Sequence, residues 1–188
     1  MTEYEKKLML TEAEYDVTNN LFGNLSSKTQ TNYYFDTGDF SMNKKGITCR
    51  IREKDGIFKA TVKNHSSKHY DCSIEEDLVK KTEFDPRIFN EKGLSCQGKL
   101  VTHRTIIYKD ALCEMVLDRN TYLGYTDYEL EVEYCENSEK KALWLLEDIA
   151  EKLVNIKLLG DVDNLLDRIG KGKSKSQRFF ERKRDGRC

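Results

Sequence analysis

Charged and apolar residues alternate along many short segments of this chain. The segment "TEYEKKLML" at 2–10 places Glu3, Glu5 and Lys7 at alternate positions. Alternate residues of a β-strand point to the same face of the sheet, so these three charges would share one face. The segment "ITCRIRE" alternates in the same way, with Arg50 and Arg52 on one face. This two-residue period predicts strands that each have one charged face and one apolar face.

The same pattern predicts eight strands, and most of them are joined by short turns such as "KDG". Strands joined by short turns run antiparallel. A closed barrel suits such a set, because closure leaves no exposed sheet edge. We therefore predict a mainly β member of the α+β class, an eight-stranded antiparallel closed barrel. The predicted strands are 2–10, 31–37, 47–53, 57–63, 70–78, 99–108, 111–122 and 126–134.

Helices are predicted around the barrel and after it. Thr11 and Glu14 form a capping box at the start of a helix over 12–24. Apolar residues at helical spacing predict a long helix over 138–155. Short helices are expected over 84–93 and 161–170, followed by a basic tail containing Phe179 and Phe180, which we expect to dock on the barrel. We predict one domain over 1–188, with the barrel at about 2–135 and the C-terminal helices and tail at 138–188.

Composition narrows the range of partners. Charged residues make up 35% of the 188 residues, yet the formal net charge is only -1. This balance gives no reason to expect binding to DNA or to a membrane surface. No apolar run approaches the ~20 residues of a membrane helix, and no secretory signal or C-x-x-C pair is present. We expect a cytoplasmic protein with reduced thiols; the sequence does not predict its oligomeric state.

The charges on the strands are sorted by sign. A sheet with its polar face in water would explain any single strand. Water alone does not explain why carboxylates cluster on the first and last strands, and Arg and Lys on the middle strands. We interpret the charged faces as the lining of a polar lumen, with helices covering the apolar outer face. A basic wall binds phosphate groups, and a carboxylate wall next to them holds Mg²⁺ or Mn²⁺. The pattern thus predicts a metal-dependent site for a phosphate chain.

Several segments resemble one known family in the same order along the chain. "EYEKK" at 3–7 fits the E-x-E-x-K signature of the CYTH superfamily, the triphosphate tunnel metalloenzymes. The segments "YYFDT", "CRIRE", "KATVK" and "VLDRNTYLGYTDYELEVEY" resemble later strands of that family and extend the likeness to about residue 134. The chain most resembles the small bacterial single-domain members.

The resemblance implies an eight-stranded tunnel and a set of site residues. The implied metal ligands are Glu3, Glu5, Glu75, Asp118, Glu129 and Glu131, with Glu76 as an alternative to Glu75. The implied triphosphate-binding residues are Lys7, Arg50, Arg52, Lys63, Arg104 and a C-terminal lysine, either Lys173 or Lys175. Lys7, Glu5 and Arg52 are the expected catalytic residues. The K-x-R spacing of many relatives is absent at "KLVTHRTII", which leaves Lys99 without a clear role.

The resemblance also implies a choice of activities, all of which use a divalent metal. We favour hydrolysis of inorganic triphosphate, a small-molecule substrate. The alternatives are a class IV-type adenylate cyclase and a thiamine or nucleoside triphosphatase. A third alternative is a non-catalytic polyphosphate- or nucleotide-binding module, but a pure anion binder gains nothing from a carboxylate wall. The sequence indicates no general base, and we expect His65, His69 and His103 to be solvated.

Overall fold

The strands form a closed antiparallel barrel, as predicted. The computed structural model describes residues 2–22, 25–65, 72–157, 164 and 167–186. Around the barrel the strands follow the order β1-β5-β4-β3-β2-β6-β7-β8. The strands are β1 Thr2–Leu10, β2 Ser26–Asp36, β3 Ile47–Lys54, β4 Ile57–His65, β5 Cys72–Lys81, β6 Ser95–Lys109, β7 Cys113–Tyr122 and β8 Tyr125–Tyr134. Pairing of β1 with β8 closes the barrel and brings Lys7 opposite Glu131.

Five helices accompany the barrel in the part of the chain that is described. They are α1 Glu12–Leu21, α2 Ser41–Lys44, α3 Arg87–Asn90, α4 Glu139–Asn155 and α5 Lys175–Arg184. The predicted capping box of α1 is confirmed: the Glu14 amide donates to the Thr11 hydroxyl, and the Thr11 amide donates to the Glu14 carboxylate. The predicted helix over 161–170 lies largely outside the described residues.

Two strands begin earlier than their patterns predict. β2 starts at Ser26 and β6 starts at Ser95, and the two pair along almost their whole length. The first residues of β2, "SSKTQ", contain no apolar side chain, so no alternation marks them as a strand. Pairing with β6 supplies the backbone hydrogen bonds that keep this polar segment extended.

Helices cover the apolar outer face of the barrel. On one side, Leu146, Ile149 and Leu153 of α4 are fully buried against outward-facing residues of β1, β7 and β8, including Leu8 and Leu130. On the other side, a second cluster covers the outer faces of β2, β3 and β4 and includes Phe89 of α3. These clusters leave the charged faces of the strands pointing inward, as predicted. No helix among the described residues has the length and apolarity needed to cross a bilayer.

The C-terminal helix α5 packs on inward-facing residues of the barrel. Phe179 and Phe180 are buried against Tyr34, Leu100 and Tyr122. The Phe179 and Tyr34 ring centroids are 4.9 Å apart. Gly98 allows this approach, because a Cβ atom there would lie 2.9 Å from Phe179 Cζ. The expectation that the aromatic pair docks the tail is confirmed. The helical conformation of the tail was not predicted.

Candidate active site

A polar cavity occupies the interior of the barrel. Its walls come from the inward faces of the strands and from the first residues of α5. The lining residues are Glu3, Glu5, Lys7, Gln30, Tyr34, Thr48, Arg50, Arg52, Lys63, His65, Arg104, Glu131, Glu133, Ser174, Lys175 and Ser176. Tyr34 is the only one of these described lining residues whose side chain contains a benzene ring. The interior therefore offers charge and hydrogen bonds rather than an apolar slot.

Most of the site residues predicted from the sequence meet in this cavity. Glu75, Asp118 and Glu129 are absent from the lining itself, but each is buried and contacts a lining residue. Lys173 lies elsewhere: its side chain is 59% exposed, and its ammonium contacts Glu181. Lys175, by contrast, reaches the interior. Glu76, the alternative to Glu75, is exposed on the outside of the barrel, and so is Lys99, whose role was unclear from the sequence.

Three buried carboxylates form an acidic wall on one side of the cavity, and one of them, Glu131, lines the cavity itself. One ligand oxygen from each of Asp118, Glu129 and Glu131 lies within 4.8 Å of the other two. Asp118 and Glu129 are fully buried, and Glu131 is nearly so. The three are brought together because β7 and β8 pair with Asp118 directly opposite Glu129. We call these three residues the carboxylate triad.

Neighbouring cations keep Glu129 and Glu131 of the triad ionised. Burial opposes the charge of Glu129, but the Lys175 ammonium and the Arg178 guanidinium outweigh it and lower the pKa of this carboxyl to about 2. Burial acts on Glu131 in the same way, and Lys175 and Lys7 hold its pKa well below the ordinary value. Glu129 and Glu131 are therefore ionised at neutral pH, as carboxylate metal ligands must be.

Lys7 and Arg104 connect the acidic wall to its neighbours. The Lys7 ammonium lies 2.9 Å from Glu5 Oε1 and 3.2 Å from Glu131 Oε1. Burial opposes the charge on Lys7, but these two carboxylates raise its pKa well above the ordinary value. Arg104 donates to Asp118 at 2.7 Å, to Glu131 at 2.5 Å and to Glu133 at 3.0 Å. Both side chains are thus held in place before any ligand arrives.

The basic wall is formed by β3 and β4. Arg50 donates to Glu75 at 2.5 Å, and the Lys63 ammonium lies 2.9 Å from Glu3. Arg52 differs: within the described residues it forms no ion pair, and its Nε donates to Asn32 Oδ1 at 2.9 Å. Burial and the nearby Arg50 lower the pKa of Arg52 to about 10. Arg52 therefore remains charged at neutral pH without a direct ion pair among the described residues, since the nearby Glu75 pairs with Arg50 instead.

Arg178 is an interior residue that was not predicted from the sequence. Arg178 of α5 contacts Asp127 at 2.8 Å and Glu129 at 3.0 Å. A sequence signal for α5 did exist, since Ser174 and Gln177 fit the S-x-x-Q form of the capping box and both of its hydrogen bonds are present. Residues three apart on a helix share a face, so this signal would have placed Lys175 and Arg178 together.

The expectation that His65 is a solvated loop residue is wrong. His65 is the last residue of β4, lines the cavity and is half-buried, with its Nε2 3.4 Å from the Thr48 hydroxyl. Its neighbours "SSKH" are polar, which suggested that the loop begins earlier than it does. His103 is exposed on β6, as expected, and His69 lies outside the described residues.

The burial of His65 predicts a pH-dependent stability. Burial and the nearby Lys63 lower its pKa from 6.5 to about 4, so the unfolded chain binds the proton more tightly. His65 therefore contributes on the order of 2 kcal/mol to the free energy of unfolding when it is neutral. This contribution is complete above pH 6.5 and is lost as pH falls towards 4. Between pH 7 and pH 4.5, the free energy of unfolding measured in urea should fall less for His65→Gln than for the wild type. Equal losses in the two proteins would refute this assignment.

Glu75 and Glu76 provide a matched pair of substitutions. Glu75 contacts Arg50 on the basic wall, although the sequence assigns it to the metal. If the cavity binds the triphosphate that the sequence predicts, we expect Glu75→Gln to raise the KM for it by about 10-fold, since Arg50 loses the partner that orients it. The metal concentration that gives half-maximal rate should not change, and Glu76→Gln should alter neither quantity. A higher metal requirement in Glu75→Gln would instead support the role as a ligand.

Comparisons with known proteins identify the family. The model of the CYTH domain matches residues 1–161, and the chain belongs to this family. YjbK of Bacillus subtilis (strain 168), provisionally named a triphosphatase, is 30% identical over 148 residues, which cover 70% of this chain and 76% of YjbK.

Solved structures agree with this assignment. The protein bh2851 of Bacillus halodurans, provisionally named an adenylate cyclase, is 26% identical with a TM-score of 0.65, and the match covers 95% of this chain and 97% of that one. HpAC1 from Hippeastrum is provisionally named an adenylyl cyclase and described as having a dominant triphosphatase activity. It shares the fold at 19% identity, with a TM-score of 0.62 over 98% of this chain and 95% of its own. The names of these relatives cover both triphosphatases and cyclases.

Proposed function

We propose that the protein is a divalent-metal-dependent hydrolase of a triphosphate, and that its substrate is inorganic triphosphate. The observation that carries this proposal is the charge arrangement of a single cavity. The carboxylate triad lies on β7 and β8, and the cations of the basic wall lie on β3 and β4. A phosphate chain with a bound cation complements both walls, whereas a bare polyanion complements only one of them.

The basic residues would bind the phosphate chain. Arg52 is the first candidate. Of the cations described above, it is the one that forms no ion pair, so it can bind phosphate without breaking a contact to a carboxylate. Its guanidinium can fork onto two phosphate oxygens. The remaining candidates for this role are Lys7, Arg50, Lys63, Arg104 and Lys175. Lys173, exposed and paired with Glu181, is a weaker candidate than Lys175.

The carboxylates would hold Mg²⁺ or Mn²⁺. Buried, ionised oxygen donors close together are the ligand set that these hard cations take, so the triad fits them. Glu3 and Glu5 on β1 line the same cavity and are further proposed ligands. A bound divalent ion would supply Lewis-acid activation of the phosphate chain.

The catalytic residues that we propose are Lys7, Glu5 and Arg52. Lys7 and Arg52 would stabilise the negative charge that builds up on phosphate oxygens as the terminal phosphoryl group is transferred to water. Glu5 accepts from Lys7 at 2.9 Å and would keep that ammonium charged and directed into the cavity. In such reactions positioning and electrostatics account for most of the catalysis.

The lining of the cavity supports a small substrate over a nucleotide. Tyr34 could in principle stack on a base, but it is 1% exposed and its ring packs on Phe179. The other described lining residues are polar or charged and, apart from His65, carry no ring on which an adenine or thiamine ring could stack. Adenylate cyclase and thiamine or nucleoside triphosphatase activities therefore rank second. A non-catalytic phosphate-binding module ranks third, because it would not need the triad.

A substrate panel tests the proposal. The purified protein is incubated with inorganic triphosphate, ATP or thiamine triphosphate, in Mg²⁺ or Mn²⁺, and both phosphate and cyclic AMP are measured. We expect phosphate release to be fastest from inorganic triphosphate, with no cyclic AMP from ATP. Cyclic AMP as the main product from ATP would instead establish the cyclase. Binding without turnover of any substrate would establish the non-catalytic module.

A further inference from the structure

The carboxylate triad already surrounds a cation that belongs to the protein. The Lys175 ammonium lies 2.9 Å from Asp118 Oδ2 and 2.9 Å from Glu131 Oε1, and it also contacts Glu129 Oε1. It therefore touches all three members of the triad at once. Its side chain is only 11% exposed, so little water reaches this contact.

The remaining oxygens of the triad are also occupied. Arg104 donates to both carboxylate oxygens of Asp118 and to the second oxygen of Glu131. Arg178 contacts the second oxygen of Glu129. A carboxylate oxygen has two lone pairs, and each oxygen that contacts Lys175 also accepts from a second donor: Arg104 at Asp118 Oδ2, Lys7 at Glu131 Oε1 and Asn120 at Glu129 Oε1. A divalent ion bound by these three oxygens must therefore replace at least one of these donors.

Lys175 is the donor whose position conflicts most directly with a metal. An ion bound to one oxygen from each carboxylate would lie where the ammonium now lies, since the ammonium contacts the same three groups. A metal ion and an ammonium held by the same three carboxylates in a buried site repel each other strongly. Arg104 contacts the triad from β6, a strand paired on both sides, whereas Lys175 is the first residue of the C-terminal helix α5.

We propose that Lys175 is a tethered internal cation that occupies the metal position in the metal-free protein, so that Lys175 and the divalent ion exclude each other at the triad. This inference rests on the proposed metal-dependent function. The ammonium stabilises three buried negative charges when metal is absent and leaves them when metal binds. Once displaced, it remains in a cavity that the phosphate chain would enter, where it is free to contact phosphate.

Mn²⁺ binding without substrate tests this competition. The affinity of the full chain for Mn²⁺ is measured by the loss of the electron paramagnetic resonance signal of the free ion. Lys175→Met removes the charge and keeps much of the side-chain volume, and it should bind Mn²⁺ at least about 10-fold more tightly than the wild type. Lys175→Arg restores a cation and should return the affinity towards the wild-type value. Lys173→Met, two residues away and paired outside with Glu181, should bind as the wild type does.

Melting temperatures provide a second readout, and they also show whether each variant is folded. In a chelator, Lys175→Met should melt below the wild type, because three buried carboxylates lose a shared countercharge. Saturating Mn²⁺ should then raise the melting temperature of Lys175→Met by more than it raises that of the wild type.

The possible failures can be told apart. Equal or weaker Mn²⁺ affinity in Lys175→Met, with an equal rise in melting temperature, would overturn the competition and leave the proposed function standing. A lack of Mn²⁺ binding in every variant, at millimolar metal and with triphosphate present, would overturn both the competition and the metal-dependent function.

Discussion

Glu131→Gln will lower the rate of triphosphate hydrolysis by at least about 100-fold at saturating Mg²⁺ or Mn²⁺. Glu131 belongs to the carboxylate triad and accepts from three cations, namely Lys7, Arg104 and Lys175. Glutamine has nearly the same shape but no charge, so it is a poor ligand and a poor partner for all three. Initial rates of phosphate release measure the effect.

A fold control accompanies this substitution. Glu76→Gln removes a carboxylate from an exposed position on β5 and should keep the wild-type rate. The thermal transition of Glu131→Gln should stay cooperative, which would show that the loss arises in the site. A Glu131→Gln protein with a rate close to that of the wild type would contradict the assignment of the triad to the metal.

Arg52→Met will have opposite effects on activity and stability. We expect kcat/KM for triphosphate to fall by at least about 100-fold, because a charged, bidentate phosphate contact is lost. We also expect the free energy of unfolding to rise by about 1 kcal/mol, since the variant no longer buries a guanidinium that has no direct ion pair among the described residues. The loss of the Arg52 hydrogen bond to Asn32 limits that gain. Urea unfolding at neutral pH measures stability, and steady-state kinetics measure activity.

An outward-facing arginine serves as the matched control. Arg119 is exposed on β7, so Arg119→Met should leave kcat/KM unchanged. A loss of stability in Arg52→Met together with a normal rate would show that Arg52 is a structural residue. A loss of both would show that its guanidinium has a favourable partner in the folded protein.

The sequence predicted the barrel because most of its strands carry a two-residue period over much of their length. Glu3, Glu5 and Lys7 lie inside, as the alternation requires, and Leu8 lies outside under α4. The inward pattern also predicted that Arg50 and Arg52 lie in the same cavity as Glu131, and all three line it. Here local periodicity was sufficient, because alternate residues of a strand point to opposite faces, one towards the lumen and the other outwards.

Other features depended on contacts that a local pattern does not contain. The polar start of β2 is a strand only because β6 pairs with it. The choice between Lys173 and Lys175 depended on the position of α5 relative to the barrel, which is set by Phe179 and Phe180. His65 was misplaced because its polar neighbours suggested a loop. For β2 and for Lys175 the deciding interaction joins residues far apart in the chain.

The most direct test of a metal-dependent triphosphatase is the initial rate of phosphate release from inorganic triphosphate by the wild-type protein. The rate is measured with Mg²⁺, with Mn²⁺ and with a chelator in excess. We expect turnover with at least one of the two ions, and loss of turnover in the chelator that is reversed when metal is added back. The same rate in chelator as in metal, or no phosphate release with either ion, would contradict the account.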